Sequence, residues 1–503
     1  MNESDELVAL SAVELRRRIG ARQLSPVELL DACLARIARI NPAVNAVTAT
    51  CFQRARREAE RADAAVRSGE PLGPLHGLPL AVKDLEDTEG LLTTRGSPLL
   101  RANVPAADAA SVARLRAAGA IVVGKTNVPE WGAGANSRNP VWGATGNPFN
   151  PRLNAGGSSG GSAVALACDM VPVATGSDTG GSLRIPAALC GVIGFRPSPG
   201  MVPSERRAHG WTPISVVGPM GRSVADTRLQ FEAIIGPDDR DPLSHPAAAV
   251  AEQAVDLSTL RVAYTEDFGI CPVDPDIRHS FRNKVEALRP FVGACEPLTV
   301  DMGEADRCFD VIRAVNYLVG YRDAYEADPD SLGANVRANY EIGAAMNLAD
   351  FAWAHREQTQ IFRRFQQIYR DYDLVVAPVT PVSPFPWTQL YAEQVAGVPA
   401  RNYYHWLGLT YVVTLTTNPA LSLPCGLDQH GMPFGLQVIG PHLGDGRLLD
   451  CAQAMEAAFA SVEELRRPRP DVAALDEPTP SLRSIVTAAP PPELCRDDGG
   501  TRH

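Results

Sequence analysis

Residues 151–197 read PRLNAGGSSGGSAVALACDMVPVATGSDTGGSLRIPAALCGVIGFRP, and each of the two Gly/Ser clusters in this stretch runs into a small-residue segment able to form a helix. Glycine lets backbone approach a ligand closely, and the first turn of a helix leaves N–H groups without intrahelical partners. Together they make a place for an anion or a developing oxyanion. In the second cluster Val171, Val173 and Ala174 form a short strand, residues 176–181 a turn, and residues 182–190 a helix with Pro186 near its start. Ser182 then stands at a strand-to-helix turn beside the N–H groups of Thr179, Gly180, Gly181 and its own residue. That is the placement of a nucleophile next to an oxyanion hole, although a serine there also serves simply as a helix N-cap.

The first cluster, Gly156-Gly157-Ser158-Ser159-Gly160, satisfies G-x-S-x-G. That pattern makes Ser158 a nucleophile when a strand leads directly into it. Pro148 and Pro151 argue for a loop there instead, and the cluster lacks the Lys-Ser/Thr ending of a phosphate-binding loop. Upstream, Leu78, Leu80, Ala81 and Val82 form an apolar run that puts Lys83 at the end of a buried strand. A lysine there is costly unless paired or neutral. Paired, it answers the adjacent Asp84; neutral, it is a general base.

The blocks GGSSGGSAVALA, GSDTGGSLRIPAALCGVIGFRPS and GLPLAVKD, with Lys83 75 residues before Ser158 and Ser158 24 before Ser182, resemble those of the amidase signature hydrolases. The resemblance covers roughly residues 8–467. It implies a Ser–cisSer–Lys triad: Ser182 as nucleophile, Ser158 bridging from a cis peptide after Gly157, and Lys83 as base. Neutral Lys83 would take a proton from Ser158 and Ser158 from Ser182, with the oxyanion on N–H groups of Thr179, Gly180, Gly181 and Ser182. Asp178 and Arg184, flanking the nucleophile, are expected to form a supporting ion pair or hydrogen-bond network. The second lysine, Lys125, is expected to be structural. The fold implied is one large α/β domain with a mixed, largely parallel central sheet of many strands covered by helices on both faces.

What is hydrolysed follows less directly. The reaction implied is cleavage of an amide C–N bond, with carbamates and esters as chemical relatives. Trp131, Trp142, Trp211, Tyr403, Tyr404 and Trp406 lean the expectation toward an apolar or aryl substrate; the run 401–407 reads equally as a channel wall or as a packed helix face. Alternatives are the glutamine-hydrolysing component of a glutamyl-tRNA amidotransferase, which works with partner chains, and a catalytically silent binding protein.

The rest of the chain is consistent with a globular enzyme. It has 503 residues, 45% hydrophobic and 21% charged, with net charge −11, a balance with no general attraction for nucleic acid or anionic membrane. No apolar run reaches the ~18 residues that span a bilayer, and the first residues lack the basic and apolar regions of a signal peptide. Ten cysteines without a C-x-x-C pair and nine histidines without metal spacing point to reduced thiols in a cytoplasm and to no metal or other cofactor. The expected partner is a small amide, with the protein a monomer or homo-oligomer. Three parts are expected: an N-terminal helical segment at 1–70 (with helices after Ser11 and Ser25 and another over 44–65), the α/β domain at 71–467, and a poorly ordered tail rich in Pro and charge at 468–503.

Overall fold

Short apolar runs bounded by glycine and proline become the strands of one sheet in the computed structural model, which describes residues 3–247 and 251–497. In chain order they are β1 (Val47–Thr50), β2 (Pro79–Lys83), β3 (Ile121–Thr126), β4 (Val173–Asp178), β5 (Ile193–Arg196), β6 (Val216–Gly221), β7 (Arg261–Tyr264), β8 (Ala294–Pro297), β9 (Leu374–Pro378), β10 (Ala420–Leu427) and β11 (Pro433–Ile439). Their spatial order is β1-β3-β2-β4-β6-β5-β10-β11-β9-β7-β8. β2 runs parallel to β3 and β4, and β7 parallel to β8 and β9. Every other neighbouring pair is antiparallel. The sheet is therefore mixed, as expected, but parallel only toward its two ends; the antiparallel middle corrects the largely parallel picture.

Successive residues of a strand face opposite sides of a sheet, and here the sides can be told apart. Leu80, Val82 and Val122 pack into one hydrophobic cluster, while Ala81, Ile121 and Val123 pack into another. Every residue of β2, β3, β5, β9 and β11 is buried, so both faces are covered and the strands read as unbroken apolar runs.

The N-terminal helices begin where their caps predict. The Ser11 hydroxyl accepts from Glu14 N–H at 3.1 Å ahead of the helix Ala12–Gly20, and Ser25 with Glu28 makes a capping box before Pro26–Val44. The helix expected over 44–65 is corrected. Asn45 turns into the left-handed region, and the β-branched Val-Thr-Ala-Thr run becomes edge strand β1 against β3 before the helix Phe52–Ser68 starts. Lys125 lies inside β3. The tail is also more ordered than its composition suggests. Leu475 and Leu482 are buried, Thr487 and Ala488 N–H groups donate to Pro140 O, and Asp497 accepts from the N–H groups of Gln53 and Arg54. Apolar side chains spaced among the prolines anchor it; its residues 498–503 lie outside the described residues.

Candidate active site

The apolar run of β2 carries Lys83 into a place where water does not reach: its side chain is 0% exposed. Asp84 does not answer it, because that carboxylate accepts from Thr94 N–H and hydroxyl at 3.0 and 2.6 Å. Among the described residues no carboxylate lies within ion-pair distance of Lys83. Its Nζ instead meets hydroxyls: Ser158 Oγ at 2.8 Å, Ser159 Oγ at 2.7 Å and Ser177 Oγ at 2.9 Å, with Ser177 O at 3.3 Å. Burial lowers its pKa to about 7, against the weaker opposing pull of Glu86 and Asp178. A neutral amine has two hydrogens and one lone pair. Donating to Ser159 and Ser177 leaves the lone pair for the Ser158 proton, the polarity a base needs.

Ser158 is held by the first Gly/Ser loop, and the Gly157–Ser158 peptide is cis. The short strand Asn150–Asn154 does precede this loop, paired with Gly146–Asn147 in a ribbon of its own outside the main sheet; the two prolines do not prevent so small a ribbon. The loop is fastened on several sides. Ser137 N–H donates to Gly156 O, Ser137 Oγ accepts from Gly160 N–H, and Ser159 N–H donates to Ser182 O at 3.2 Å. Gly157 lies so close to Ala135 and Asn136 backbone that a Cβ would come within 3.0 Å of them.

β4 runs on to Asp178, the chain turns, and the helix Arg184–Cys190 begins with Leu183 as its N-cap. Ser182 is thus not the cap; it sits in the turn, half-buried, facing the same cavity as Ser158. Its Oγ makes no hydrogen bond among the described residues. Gly181 has φ +124°, and a side chain there would run into Thr410 and Ile185, so only glycine fits this turn.

Asp178 organises the turn. Its carboxylate accepts from Gly181 N–H at 2.9 Å and Leu183 N–H at 3.2 Å and pairs with Arg184 at 2.9 Å and Arg196 at 3.1 Å, all three side chains fully buried. Burial alone would raise its pKa, but the two guanidiniums hold it well below the usual carboxylate range. Arg184 also donates to Thr410 O, Gln437 Oε1 and Thr414 Oγ1, which ties the turn to the C-terminal half of the sheet. Lys125 stays apart from the serines: its Nζ donates to Glu86 O and Thr88 Oγ1, and burial lowers its pKa to about 8.

Ser158 and Ser182 open on a cavity of about 280 Å³. Of the six aromatic residues expected around it, only Trp131 lines it. Trp142 is buried with its Nε1 donating to Thr94 Oγ1 at 2.9 Å, and Trp211 is 71% exposed. Tyr403, Tyr404 and Trp406 are packed inside, though not on a helix face: Tyr403 and Tyr404 lie in a turn and Trp406 in the short 3-10 helix His405–Leu407, where Tyr404 OH donates to Asp310 and Trp406 packs edge-on against Phe385. The rings that do join Trp131 are Tyr317 and Tyr321, Trp131–Tyr321 and Tyr317–Tyr321 centroids both 5.3 Å apart. Sequence reasoning missed these two, and missed Ser159 and Ser177 as acceptors for Lys83. The serines stood within the quoted motifs, whereas nothing in the pattern 317–321 marks a cavity wall.

The chain is similar to known proteins in sequence and in fold. The family model described as Amidase matches residues 28–449. An acylamidase of Rhodococcus erythropolis is 32% identical over 458 residues, covering 89% of this chain and 95% of that one. A glutamyl-tRNA(Gln) amidotransferase component of Clostridium acetobutylicum is 31% identical over 481 residues, covering 90% and 99%. The solved structure of a bacterial aryl acylamidase superposes with a TM-score of 0.83 at 26% identity, covering 89% of this chain and 96% of that one. The chain belongs to the amidase signature family and is an amide-hydrolysing enzyme.

Proposed function

We propose that Ser182 is the nucleophile, Ser158 the proton bridge and Lys83 the base, and that the substrate is a small aryl amide. The observation that carries this reading is the buried setting of Lys83, with no carboxylate within ion-pair distance among the described residues and its Nζ 2.8 Å from Ser158 Oγ. A neutral amine there withdraws the Ser158 proton as Ser158 withdraws that of Ser182, once the Ser182 hydroxyl turns toward it. Contacts of this kind tighten when substrate binds. Ser182 Oγ attacks the carbonyl carbon, the relay returns a proton to the leaving nitrogen, and water releases the acyl group from Ser182. Gly181 N–H is already donated to Asp178. Thr179, Gly180 and Ser182 therefore remain as the N–H groups for the oxyanion, each such donor worth ~3–4 kcal/mol in the transition state.

The aryl reading rests on Trp131, Tyr317 and Tyr321 rather than on the aromatic set expected from sequence. Glutamine hydrolysis, the activity suggested by the amidotransferase relatives, is disfavoured by one feature: the cavity's own lining has no acidic residue, and in the cavity that adjoins it at Ser177 and Thr179 the carboxylates of Asp87 and Glu205 pair with Arg95 and Arg206 while Glu86 accepts from Ser111, so the ammonium of glutamine meets no unengaged counter-charge. The purified chain tests this with an anilide, glutamine and a fluorophosphonate probe. Anilide turnover and probe mass on Ser182, both lost in Ser182→Ala, are expected. Turnover of glutamine alone, or labelling elsewhere, would overturn the assignment.

A further inference from the structure

Four arginines line the cavity that holds Ser158 and Ser182, and no Asp or Glu does. Three of the four have acidic partners behind them: Arg95 and Arg206 pair with Asp87 at 3.1 and 2.7 Å, and Arg207 pairs with Asp241 at 2.7 Å. Arg313 does not. It projects from the helix Ala305–Ala327, is 6% exposed, and among the described residues has no carboxylate within 4.0 Å.

Its surroundings stabilise the charge only in part. Nε donates to Asn339 Oδ1 at 3.1 Å, and Nη2 donates to the hydroxyls of Tyr317 at 2.9 Å and Tyr403 at 2.7 Å. The rings of Phe309, Tyr317, Tyr403 and Tyr404 lie 5.1 to 5.8 Å from the guanidinium carbon, within range of a cation–π attraction. Nη1, however, makes no hydrogen bond among the described residues, and it is not sealed from solvent. Tyr403 OH also accepts from Asn339 Nδ2 at 2.6 Å, so with two donors already on it, it turns its own proton toward Tyr317 OH, 3.4 Å away. The Tyr317 hydroxyl then has its proton left for the cavity it lines. A cation with one open N–H edge and a neighbouring O–H donor, held in a fixed fork, is built to receive an acceptor-only group.

We propose that Arg313 Nη1 and the Tyr317 hydroxyl form an anion subsite and that the substrate is an amide bearing a carboxylate. The proposal rests on the reading that Ser182 in this cavity is the nucleophile, and it adds an anionic group to the aryl amide. Bound there, the carboxylate supplies the counter-charge that the fold withholds, and charge-assisted hydrogen bonds of this type are about twice as strong as neutral ones. The carboxylate belongs either to the acyl part or to the leaving amine, and substrates distinguish the two.

Two matched pairs test the proposal on the full chain: butyranilide against succinanilate, with the charge on the acyl side, and acetanilide against 4-acetamidobenzoate, with it on the amine side. In one pair the carboxylate member is expected to have kcat/KM at least about tenfold higher, chiefly through KM, and Tyr317→Phe and Arg313→Lys should each shrink that ratio. Calorimetry on Ser182→Ala gives an independent reading: the favoured carboxylate should bind, and adding Arg313→Met should weaken it by about tenfold or more. Tyr317→Phe, which keeps the ring, guards against a folding failure at Arg313. Equal kcat/KM within both pairs, or binding to Ser182→Ala that ignores Arg313 and Tyr317, overturns the anion subsite while leaving the amidase intact. Binding without turnover of any amide would instead count against Ser182 as nucleophile and leave the subsite standing.

Discussion

Replacing Lys83 by Met keeps a long side chain in place and removes one titration. In the folded protein burial brings the amine to about 7 from an ordinary value of 10.5. At ~1.4 kcal/mol per tenfold change in proton affinity, that gap amounts to about 5 kcal/mol. Below pH 7 folded and unfolded chains both hold the proton, and the folded state bears the whole penalty. Between pH 7 and 10.5 the folded protein has released the proton while the unfolded chain still binds it, so stability climbs with pH at ~1.4 kcal/mol per pH unit. Above 10.5 the penalty is gone. Lys83→Met has none of this dependence, so its stability relative to the native chain should fall by about 2 kcal/mol between pH 7 and 9. Guanidinium unfolding of both proteins at pH 7, 8 and 9 measures it, since other titrating groups cancel in the difference. Activity gives the second half: kcat/KM of the native chain should rise with pH through a midpoint near 7 and level off about one pH unit above it, and the variant should lose about 10²–10⁴-fold. A stability offset that is the same at all three pH values means the lysine is charged in the folded protein. The neutral base would then be refuted.

The other consequences are simpler. The proposed serine–serine–lysine relay needs no histidine, so His209→Ala, at the one histidine lining the cavity, should lower turnover of an anilide by about tenfold at most; complete loss would favour a serine–histidine mechanism. Arg184→Met leaves Asp178 buried with Arg196 as its one remaining ion-pair partner and should cost about 3–5 kcal/mol in denaturant unfolding. Ending the chain after Pro468 uncovers the surfaces that Leu475 and Leu482 now fill. At ~1.5–3 kcal/mol per fully buried leucine, it should lower the melting temperature measurably, and an unchanged melt would mean that the tail does not pack in solution.

The α/β class and the meeting of Lys83, Ser158 and Ser182 around one site were legible in the sequence, and the order of the strands was not. Gly-Ser clusters leading into helices, and a lysine ending an apolar strand, are local patterns, and they led to Lys83, Ser158 and Ser182 on separate elements. Sheet order was not local. β1 is four residues between two helices, recognisable as a strand only because β3 is there to pair with it. The cavity wall failed for a similar reason. Trp142, Tyr403, Tyr404 and Trp406 drew attention as aromatics, yet a ring finds a dry core as readily as a substrate. Arg313 drew none, because a single arginine on a helix reads as a solvated face until the elements packed around it are known.

The turn at Ser182 marks the limit of motif reading most sharply. A run of glycines beside a nucleophile offers four N–H groups, and from sequence all four count equally toward an oxyanion. The carboxylate of Asp178 competes for them, and it takes Gly181 at 2.9 Å while Arg184 and Arg196 hold it ionised. An ionised acceptor fixed by two buried cations cannot turn away when an oxyanion forms, so the hydrogen bond that shapes the turn also removes one donor from the proposed oxyanion hole. Neutralising that acceptor in Asp178→Asn would therefore disturb the position of Ser182 before it offered the oxyanion an extra N–H. The expected result is a fall in kcat, and a rise would show that Gly181 had been a donor withheld.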